Sequence, residues 1–194
     1  MLSSSILRIL AISFVSILIG GTPLAAQDAS SLVNPVFQDH VVLQRDATVR
    51  IWGTASPGDT VSVRVAGAAA EAAAESNGTW SVQLPKLPPG GPYRLTAQSS
   101  GGAVQVVRDV HVGDVYLCSG QSNMELPVDR TLDAPSEIRR AGNEQIRMLN
   151  VPRSAQTTPA EHLPESINWE VAHPETVEDW SATCYYYARA LQPR

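Results

Sequence analysis

Hydrophobic and polar positions alternate in several short runs between residues 31 and 112, as they do in half-buried β-strands. The runs cover residues 48–52, 60–65, 79–84, 93–97 and 103–107, with clusters of Pro and Gly between them. Asn77-Gly78 stands directly before the third run, and this dipeptide is a strong signal for a β-hairpin turn. Strands at this spacing predict a small β-sandwich.

Residues 68–74 are alanine except for Glu71, and alanine favours a helix by intrinsic propensity. The segment lies between a predicted strand and the Asn-Gly turn, which leaves little room for a packed helix. We therefore predict a strand here. Trp52 and Trp80 lie within the predicted strands, and we interpret both as core residues of the sandwich rather than platforms for a sugar.

The pattern changes at residue 112. Residues 114–118 form a nearly continuous apolar run, which predicts a buried parallel strand. This run leads into Ser119-Gly120-Gln121-Ser122, and a buried strand followed by a small polar turn is how α/β hydrolases present a nucleophile. Ser122 is therefore the candidate nucleophile. Farther along, the pattern predicts a helix over 136–141, a strand over 145–151, a Pro-rich loop over 157–174 and a helix over 181–191.

The first residues have the layout of a secretory signal peptide. Arg8 precedes an apolar run over 9–19, and small residues follow as far as Ala25-Ala26. The run is shorter than the span of about 20 residues that crosses a membrane. We expect residues 1–26 to be removed after Ala26, which predicts a secreted or periplasmic protein without a membrane attachment; an uncleaved anchor is the alternative.

Charge and cysteine content narrow the function classes. A formal net charge of −5 over 194 residues provides no basic field for nucleic acid or for an anionic membrane. No metal-ligand cluster or phosphate-binding loop is present in the sequence, so we expect neither a metal nor a cofactor. Cys118 ends the predicted buried strand and is interpreted as a small core residue. A disulfide between Cys118 and Cys184 is the alternative in an exported protein.

The string from Val112 to Glu125, centred on Gly120-Gln121-Ser122-Asn123-Met124, resembles the first conserved block of the sialate O-acetylesterases, a family of SGNH-type carbohydrate esterases. Residues 37–45, 51–53, 78–80 and 180–187 resemble other parts of the same family. The resemblance implies a β-sandwich (jelly-roll-like) domain over 27–111, followed over 112–194 by the first part of an α/β (SGNH, flavodoxin-like) hydrolase domain. We expect this second domain to be truncated.

The resemblance also implies a reaction. Ser122 would attack the acetyl ester of an O-acetylated sugar or glycan and form an acyl-enzyme, while its backbone N–H donates to the oxyanion. Gln121 and Asn123 flank the serine and are the implied substrate-binding residues. In the family an Asp-x-x-His pair supplies the orienter and the base, and no histidine of this chain stands in that pattern: His40, His111, His162 and His173.

Two function classes remain open. The first is a carbohydrate O-acetylesterase that acts on sialic acid or, as an acetyl xylan esterase-type enzyme in its full-length form, on a plant-wall glycan. The second is a non-catalytic β-sandwich fragment with a binding or structural role. The resemblance favours the first class, whereas the lack of a catalytic Asp and His favours the second for this polypeptide by itself.

Overall fold

The structure is a computed structural model that describes residues 31–154, 157–158, 163 and 167–192. The predicted signal peptide over 1–26 and His162 lie outside these residues. The strands are β1 (Val42–Gln44), β2 (Val49–Thr54), β3 (Thr60–Val65), β4 (Ala68–Ala73), β5 (Thr79–Leu84), β6 (Gly90–Ser99), β7 (Val104–Gly113), β8 (Asn143–Leu149) and β9 (Trp169–Ala172). The α-helices are α1 (Ser122–Glu125), α2 (Ala134–Arg139) and α3 (Ala182–Leu191), and short 3-10 turns lie at Val128–Arg130 and Val177–Asp179.

The alternating runs form strands where the sequence predicts them. In β3 the side chains of Val61, Val63 and Val65 are buried, whereas the alternate residues Thr60 and Arg64 are exposed and Ser62 is half-buried. The alanine-rich segment is the strand β4, which pairs antiparallel with β3 along its whole length. Alternate alanines of β4 pack against the core, so tertiary pairing overrides the helix propensity of alanine.

Two sheets contribute to one core. The larger sheet has the strand order β1-β7-β6-β3-β4, in which β1 runs parallel to β7 and the other neighbours are antiparallel. The smaller sheet consists of β2 and β5, which pair antiparallel over six residues. Buried residues from both sheets and from the segment before β1 form a single cluster that includes Val33, Ile51, Trp80 and Leu95.

The Asn-Gly turn is where predicted, but it does not close a hairpin. The side chain of Asn77 accepts a hydrogen bond from the backbone N–H of Thr79 at 2.9 Å, and Gly78 has a positive φ of 82°. The strands on either side, β4 and β5, belong to different sheets because β5 pairs with β2 instead. The hairpin prediction is therefore wrong, and the turn carries the chain from one sheet to the other.

The two tryptophans of the β-strands differ in burial. Trp80 is buried, and its indole N–H donates to the carbonyl of Leu32 at 3.0 Å. Trp52 was expected in the core and is 37% exposed, so that prediction is wrong. Its side chain lies on the outer face of β2, where Phe37 packs against it edge-to-face with 4.7 Å between the ring centroids.

A second cluster of buried residues lies after residue 127 and includes Val128, Ile146, Trp180 and Tyr185. The predicted helices at 136–141 and 181–191 and the strand at 145–151 correspond to α2, α3 and β8, with shifted ends.

The Pro-rich segment was expected to be a loop, but its residues 169–172 form β9, which pairs antiparallel with β8. Trp169 fixes this strand, since its indole N–H donates to the carbonyl of Val36 at 2.8 Å. No helix among the described residues is long and apolar enough to cross a membrane.

Gly53 is the point at which the N-terminal segment crosses the small sheet. Val33 forms a β-bridge with Gly53, and the N–H of Thr54 donates to the carbonyl of Leu32 at 3.2 Å. A Cβ atom at Gly53 would lie 2.7 Å from the Cα of Val33 and still closer to the Leu32 carbonyl oxygen. Backbone atoms cannot yield as a flexible side chain can, so this crossing requires glycine.

Replacement of Gly53 by Ala is therefore expected to lower the free energy of unfolding by about 1–3 kcal/mol, the usual cost of overpacking. Urea denaturation followed by tryptophan fluorescence measures the change. Gly142→Ala is the matched control, because nothing lies within 4 Å of a Cβ at that position. Equal stabilities of the two variants would contradict the steric argument.

Candidate functional site

The serine segment begins where β7 leaves the large sheet. Gly113 is the last residue of β7 and pairs with Gln44 of β1. Beyond it, Arg45 Nε donates to Asp114 Oδ1 at 2.7 Å, and the side-chain oxygen of Gln44 accepts from the N–H of Val115 at 2.9 Å. The end of β1 thus fixes the direction in which the chain leaves the sheet.

Residues 115–118 are not a buried parallel strand, so this prediction is wrong. Val115, Tyr116 and Leu117 are exposed, Leu117 to 94%, and no described strand pairs with them. An apolar run is buried only when a neighbouring strand pairs with its backbone and other elements cover its faces. Its described neighbours are Gln44, which bonds to the N–H of Val115, and α3, through an edge-to-face contact between Tyr116 and Tyr187 at 5.2 Å.

A disulfide joins the segment to α3. Cys118 pairs with Cys184, their Cα atoms are 6.2 Å apart, and 66 positions separate them along the chain. The interpretation of Cys118 as a buried core residue is wrong, because its side chain is exposed and bonded; Cys184 is the buried partner. Ser181 caps α3 by accepting a hydrogen bond from the N–H of Cys184 at 3.5 Å.

Ser122 is the first residue of the short helix α1, and the exposed residues Gln121 and Asn123 flank it. Ser122 is itself exposed at this junction between a loop and a helix. The N-terminal end of α3 holds the block in place, since the hydroxyl of Thr183 donates to the carbonyl of Asn123 at 3.0 Å. The side chain of Ser122 is therefore exposed to solvent, while the disulfide at Cys118 and the hydrogen bond at Asn123 restrain the backbone before and after it.

The hydroxyl of Ser122 has no hydrogen-bond partner within the ranges that the structure describes, so no described base contacts it. His40 and His111 both contact Asp109 instead. His173 follows β9, where its ring nitrogen lies 3.8 Å from Glu175. Glu125 in α1 pairs with Arg153 at 2.9 Å. The same ranges contain no group of three or more potential metal ligands.

Asp109 is the centre of a charged cluster that the sequence analysis did not identify. Its Oδ2 lies 2.7 Å from Nδ1 of His40 and 2.8 Å from Nη2 of Arg147, and its Oδ1 lies 3.3 Å from Nε2 of His111. Arg147 is on β8, and its side chain is only 2% exposed. The cluster therefore joins β7 of the first core to β8 of the second. The spacing of Asp109 and His111, two residues apart on one strand, is the signal that places both on the same face.

The environment of the cluster shifts three pKa values. Burial by itself raises the pKa of Asp109, but the hydrogen bond from His40 and the charge of Arg147 outweigh it, and the pKa is lowered. Burial, followed by the charge of Arg147, lowers the pKa of His111. Burial also lowers the pKa of Arg147, against the opposing effect of Asp109. The folded cluster thus favours an ionised Asp109 beside a neutral His111.

Acidification is expected to destabilise this junction. Because the pKa of His111 is lowered on folding, the unfolded chain binds the proton more tightly, and the free energy of unfolding falls as the pH drops below about 6.5. Protonation of Asp109, which loses the ion pair with Arg147, adds a second loss below about pH 4. Urea midpoints over this pH range measure both losses. His111→Gln should remove the first loss, whereas the exposed control His173→Gln should keep it.

Loss of the disulfide is expected to reduce the free energy of unfolding by about 2–4 kcal/mol, because the bridge restricts the unfolded chain. Cys184→Ser and the double variant Cys118→Ser/Cys184→Ser should be destabilised equally. A reductant should reproduce the loss in the unaltered chain and leave the double variant unchanged. Hydrogen exchange should accelerate at the hydrogen-bonded amides near the bridge, those of Met124 and Ala182. A stability that does not respond to reductant would contradict this role of the bridge.

The chain is similar in sequence to known sialate O-acetylesterases, although no family model matches it. It is 35% identical over 124 residues to the sialate O-acetylesterase of Mus musculus, a match that covers 58% of this chain and 23% of that protein. It is 31% identical over 170 residues to the sialate O-acetylesterases of Pongo abelii and Homo sapiens, which covers 79% of this chain and 32% of each.

A solved structure is similar as well. The crystal structure of a carbohydrate acetylesterase from Xanthomonas citri superposes with a TM-score of 0.79 at 37% identity. The match covers 82% of this chain and 36% of that one. The chain thus spans about a third or less of the length of these relatives.

Proposed function

Because this chain is related to the sialate O-acetylesterase family over part of that family's length, as the residues around Ser122 implied, we propose that it supplies the nucleophile of a carbohydrate O-acetylesterase. The single observation that carries the proposal is the exposed hydroxyl of Ser122 at the start of α1, on a backbone fastened by Thr183 and by the Cys118–Cys184 bridge. A nucleophile needs this access and this rigidity.

In the proposed reaction, Oγ of Ser122 attacks the acetyl carbonyl carbon and a base removes the hydroxyl proton. The base gives this proton to the sugar oxygen as the tetrahedral intermediate collapses, so the sugar leaves as an alcohol, and water then hydrolyses the acyl-enzyme to acetate and free Ser122. The backbone N–H of Ser122 contributes one donor to the oxyanion. Gln121 and Asn123 are exposed on either side of the serine, which supports substrate-binding roles for both.

The base and its orienter are expected from polypeptide other than the described residues. The three histidines that the structure describes contact Asp109 or Glu175 and leave Ser122 without a proton acceptor. In this proposal residues 27–111 form a β-sandwich domain, and residues 112–194 form part of an SGNH-type hydrolase domain. The two separate clusters of buried residues support this division.

The substrate we favour is an O-acetylated sialic acid, because three relatives that match the chain are sialate O-acetylesterases. A plant-wall glycan such as acetylated xylan is the alternative substrate, since the relative from Xanthomonas citri is a carbohydrate acetylesterase. We also propose export of the protein after cleavage at Ala26. The disulfide supports this, because such bonds persist in oxidising compartments.

The second candidate function is a binding or structural role without catalysis. The continuous core beneath both sheets of residues 31–113 favours it, as that part has its own buried cluster. The lack of a base in contact with Ser122 among the described residues also favours this non-catalytic role. The two functions are distinguished by whether Ser122 catalyses ester hydrolysis when the rest of an acetylesterase is present.

A fusion tests the nucleophile. Joining this chain to the part of the Xanthomonas citri acetylesterase that lies outside the match should give turnover of 4-nitrophenyl acetate and of an O-acetylated sialic acid. Ser122→Ala should then reduce kcat by at least about 1,000-fold, since the members of a catalytic unit act together. The neighbouring exposed Ser119→Ala is the matched control and should retain activity.

The chain by itself should hydrolyse the activated ester barely above background, and Ser122→Ala should leave that rate unchanged. Robust turnover by the chain alone that requires Ser122 would contradict the expected position of the base. Turnover by the fusion that survives Ser122→Ala would reject Ser122 as nucleophile.

A further inference from the structure

The outer face of the small sheet carries one exposed tryptophan among polar side chains. Buried and exposed positions alternate along β2 and along β5, and residues that pair across two strands point to the same side of the sheet. Trp52 pairs with Ser81 in this way, and Arg50 pairs with Gln83. The exposed residues form one continuous surface, which we call the tryptophan face: Arg50, Trp52, Thr54, Thr79, Ser81 and Gln83.

The indole N–H of Trp52 differs from those of the other three tryptophans. Trp80, Trp169 and Trp180 donate their indole N–H groups to protein oxygen atoms at 3.0, 2.8 and 2.7 Å. The indole N–H of Trp52 has no hydrogen-bond partner in the ranges that the structure describes, and the residue is 37% exposed. Trp52 therefore offers a ligand both an apolar ring and a hydrogen-bond donor.

The ring of Trp52 is held in place by two neighbours. Phe37 packs against it edge-to-face with 4.7 Å between the ring centroids, and the guanidinium carbon of Arg50 lies 5.8 Å from its centroid. Arg50 has no carboxylate within ion-pairing distance among the described residues. A ligand thus meets a ring that is already positioned, which lowers the entropic cost of binding, beside a cation that no described side chain neutralises.

The groups on the tryptophan face match a sugar that carries a negative charge. One side of a pyranose ring presents C–H groups, whose partial positive charge suits the negative face of an indole ring. Ser81 and Gln83 provide donors and acceptors for the sugar hydroxyls. The face includes one positively charged side chain and no carboxylate, so its charge complements a sugar carboxylate, with which Arg50 can form a charge-assisted pair.

We propose that the tryptophan face binds an acidic sugar of a glycan, with the sugar ring against Trp52 and the carboxylate on Arg50. The inference goes beyond the proposed esterase function, because it uses no residue of the serine block. A glycan that is held here by one sugar keeps its other sugars at a raised local concentration around the molecule. A benefit to hydrolysis at Ser122 depends on the proposed function, whereas the binding itself does not.

A second copy of this chain fits the face less well. The centre of a protein–protein interface buries several apolar side chains together. The tryptophan face provides a single aromatic ring, and hydroxyl, amide and guanidinium groups surround it. One ring is enough for a sugar, since only one side of the pyranose is apolar.

Titration of the full chain with sialyllactose tests the face without measuring activity. Lactose is the control sugar, because it lacks only the acidic residue. Heteronuclear NMR follows the indole N–H signals of the four tryptophans, and Trp52→Phe assigns the signal of Trp52. We expect this signal alone to shift, and we expect lactose to bind at least about tenfold more weakly, because it has no carboxylate for Arg50.

Arg50→Gln should weaken the binding of sialyllactose by at least about tenfold, since it removes the charge that pairs with the carboxylate. Arg64→Gln is the matched control, because Arg64 is also exposed but lies on β3 of the large sheet, and it should bind normally. Trp52→Ala should abolish binding. It also removes a contact of Phe37, so Arg50→Gln, which changes an exposed side chain, decides the outcome if Trp52→Ala does not fold.

Equal binding of the two sugars, equal weakening by both arginine variants, or self-association of the chain in place of sugar binding would each overturn the proposal. Loss of binding in the double variant Gln121→Ala/Asn123→Ala would place the sugar at the serine block, which overturns this inference and favours the proposed function. Binding that survives the double variant, together with a fusion to the acetylesterase that lacks activity, would support this inference and count against the proposed function.

Discussion

The buried guanidinium of Arg147 needs a carboxylate, and Asp109 alone supplies one within hydrogen-bonding distance among the described residues. Nε and Nη1 of Arg147 have no partner there, so the contact of Nη2 with Asp109 at 2.8 Å is the one through which the buried guanidinium is paired. A buried charge that loses its partner is strongly destabilising. This pair therefore holds β8, and the second core with it, against β7. β7 leads directly into the serine segment, so this ion pair lies on the strand from which that segment extends.

The serine block has its second attachment at α3. The Cys118–Cys184 bridge and the hydrogen bond from Thr183 to Asn123 join it to the helix, and the N–H of Ala182 donates to the carbonyl of Leu126 at 2.9 Å. Since α3 belongs to the second core, the attachment of the serine block to α3 depends on how the second core packs against the first. The hydroxyl of Ser122 is left free while its backbone is held, which is the combination that the proposed nucleophilic role requires.

The parts of the fold that were predictable are those set by local pattern. Alternation identified β3 and β5, and the position of residues 68–74 between a strand and a turn identified β4 in spite of its alanines. Features set by distant partners were not predictable. The turn at Asn77-Gly78 was correct locally, but no sequence signal shows that β5 pairs with β2. The role of Arg147 depends on burial beside Asp109, which lies 38 positions away.

The incorrect prediction for residues 115–118 connects the fold to the function. The run has the composition of a buried strand, and only the absence of a neighbour among the described residues leaves it exposed. Ser122, four residues beyond Cys118, lacks a base in the same part of the chain. The proposed hydrolase domain would need polypeptide other than the described residues to provide both a neighbouring strand for residues 115–118 and a proton acceptor for Ser122. The exposed apolar run and the serine without a base thus lie in the same segment after β7, with which no described strand pairs.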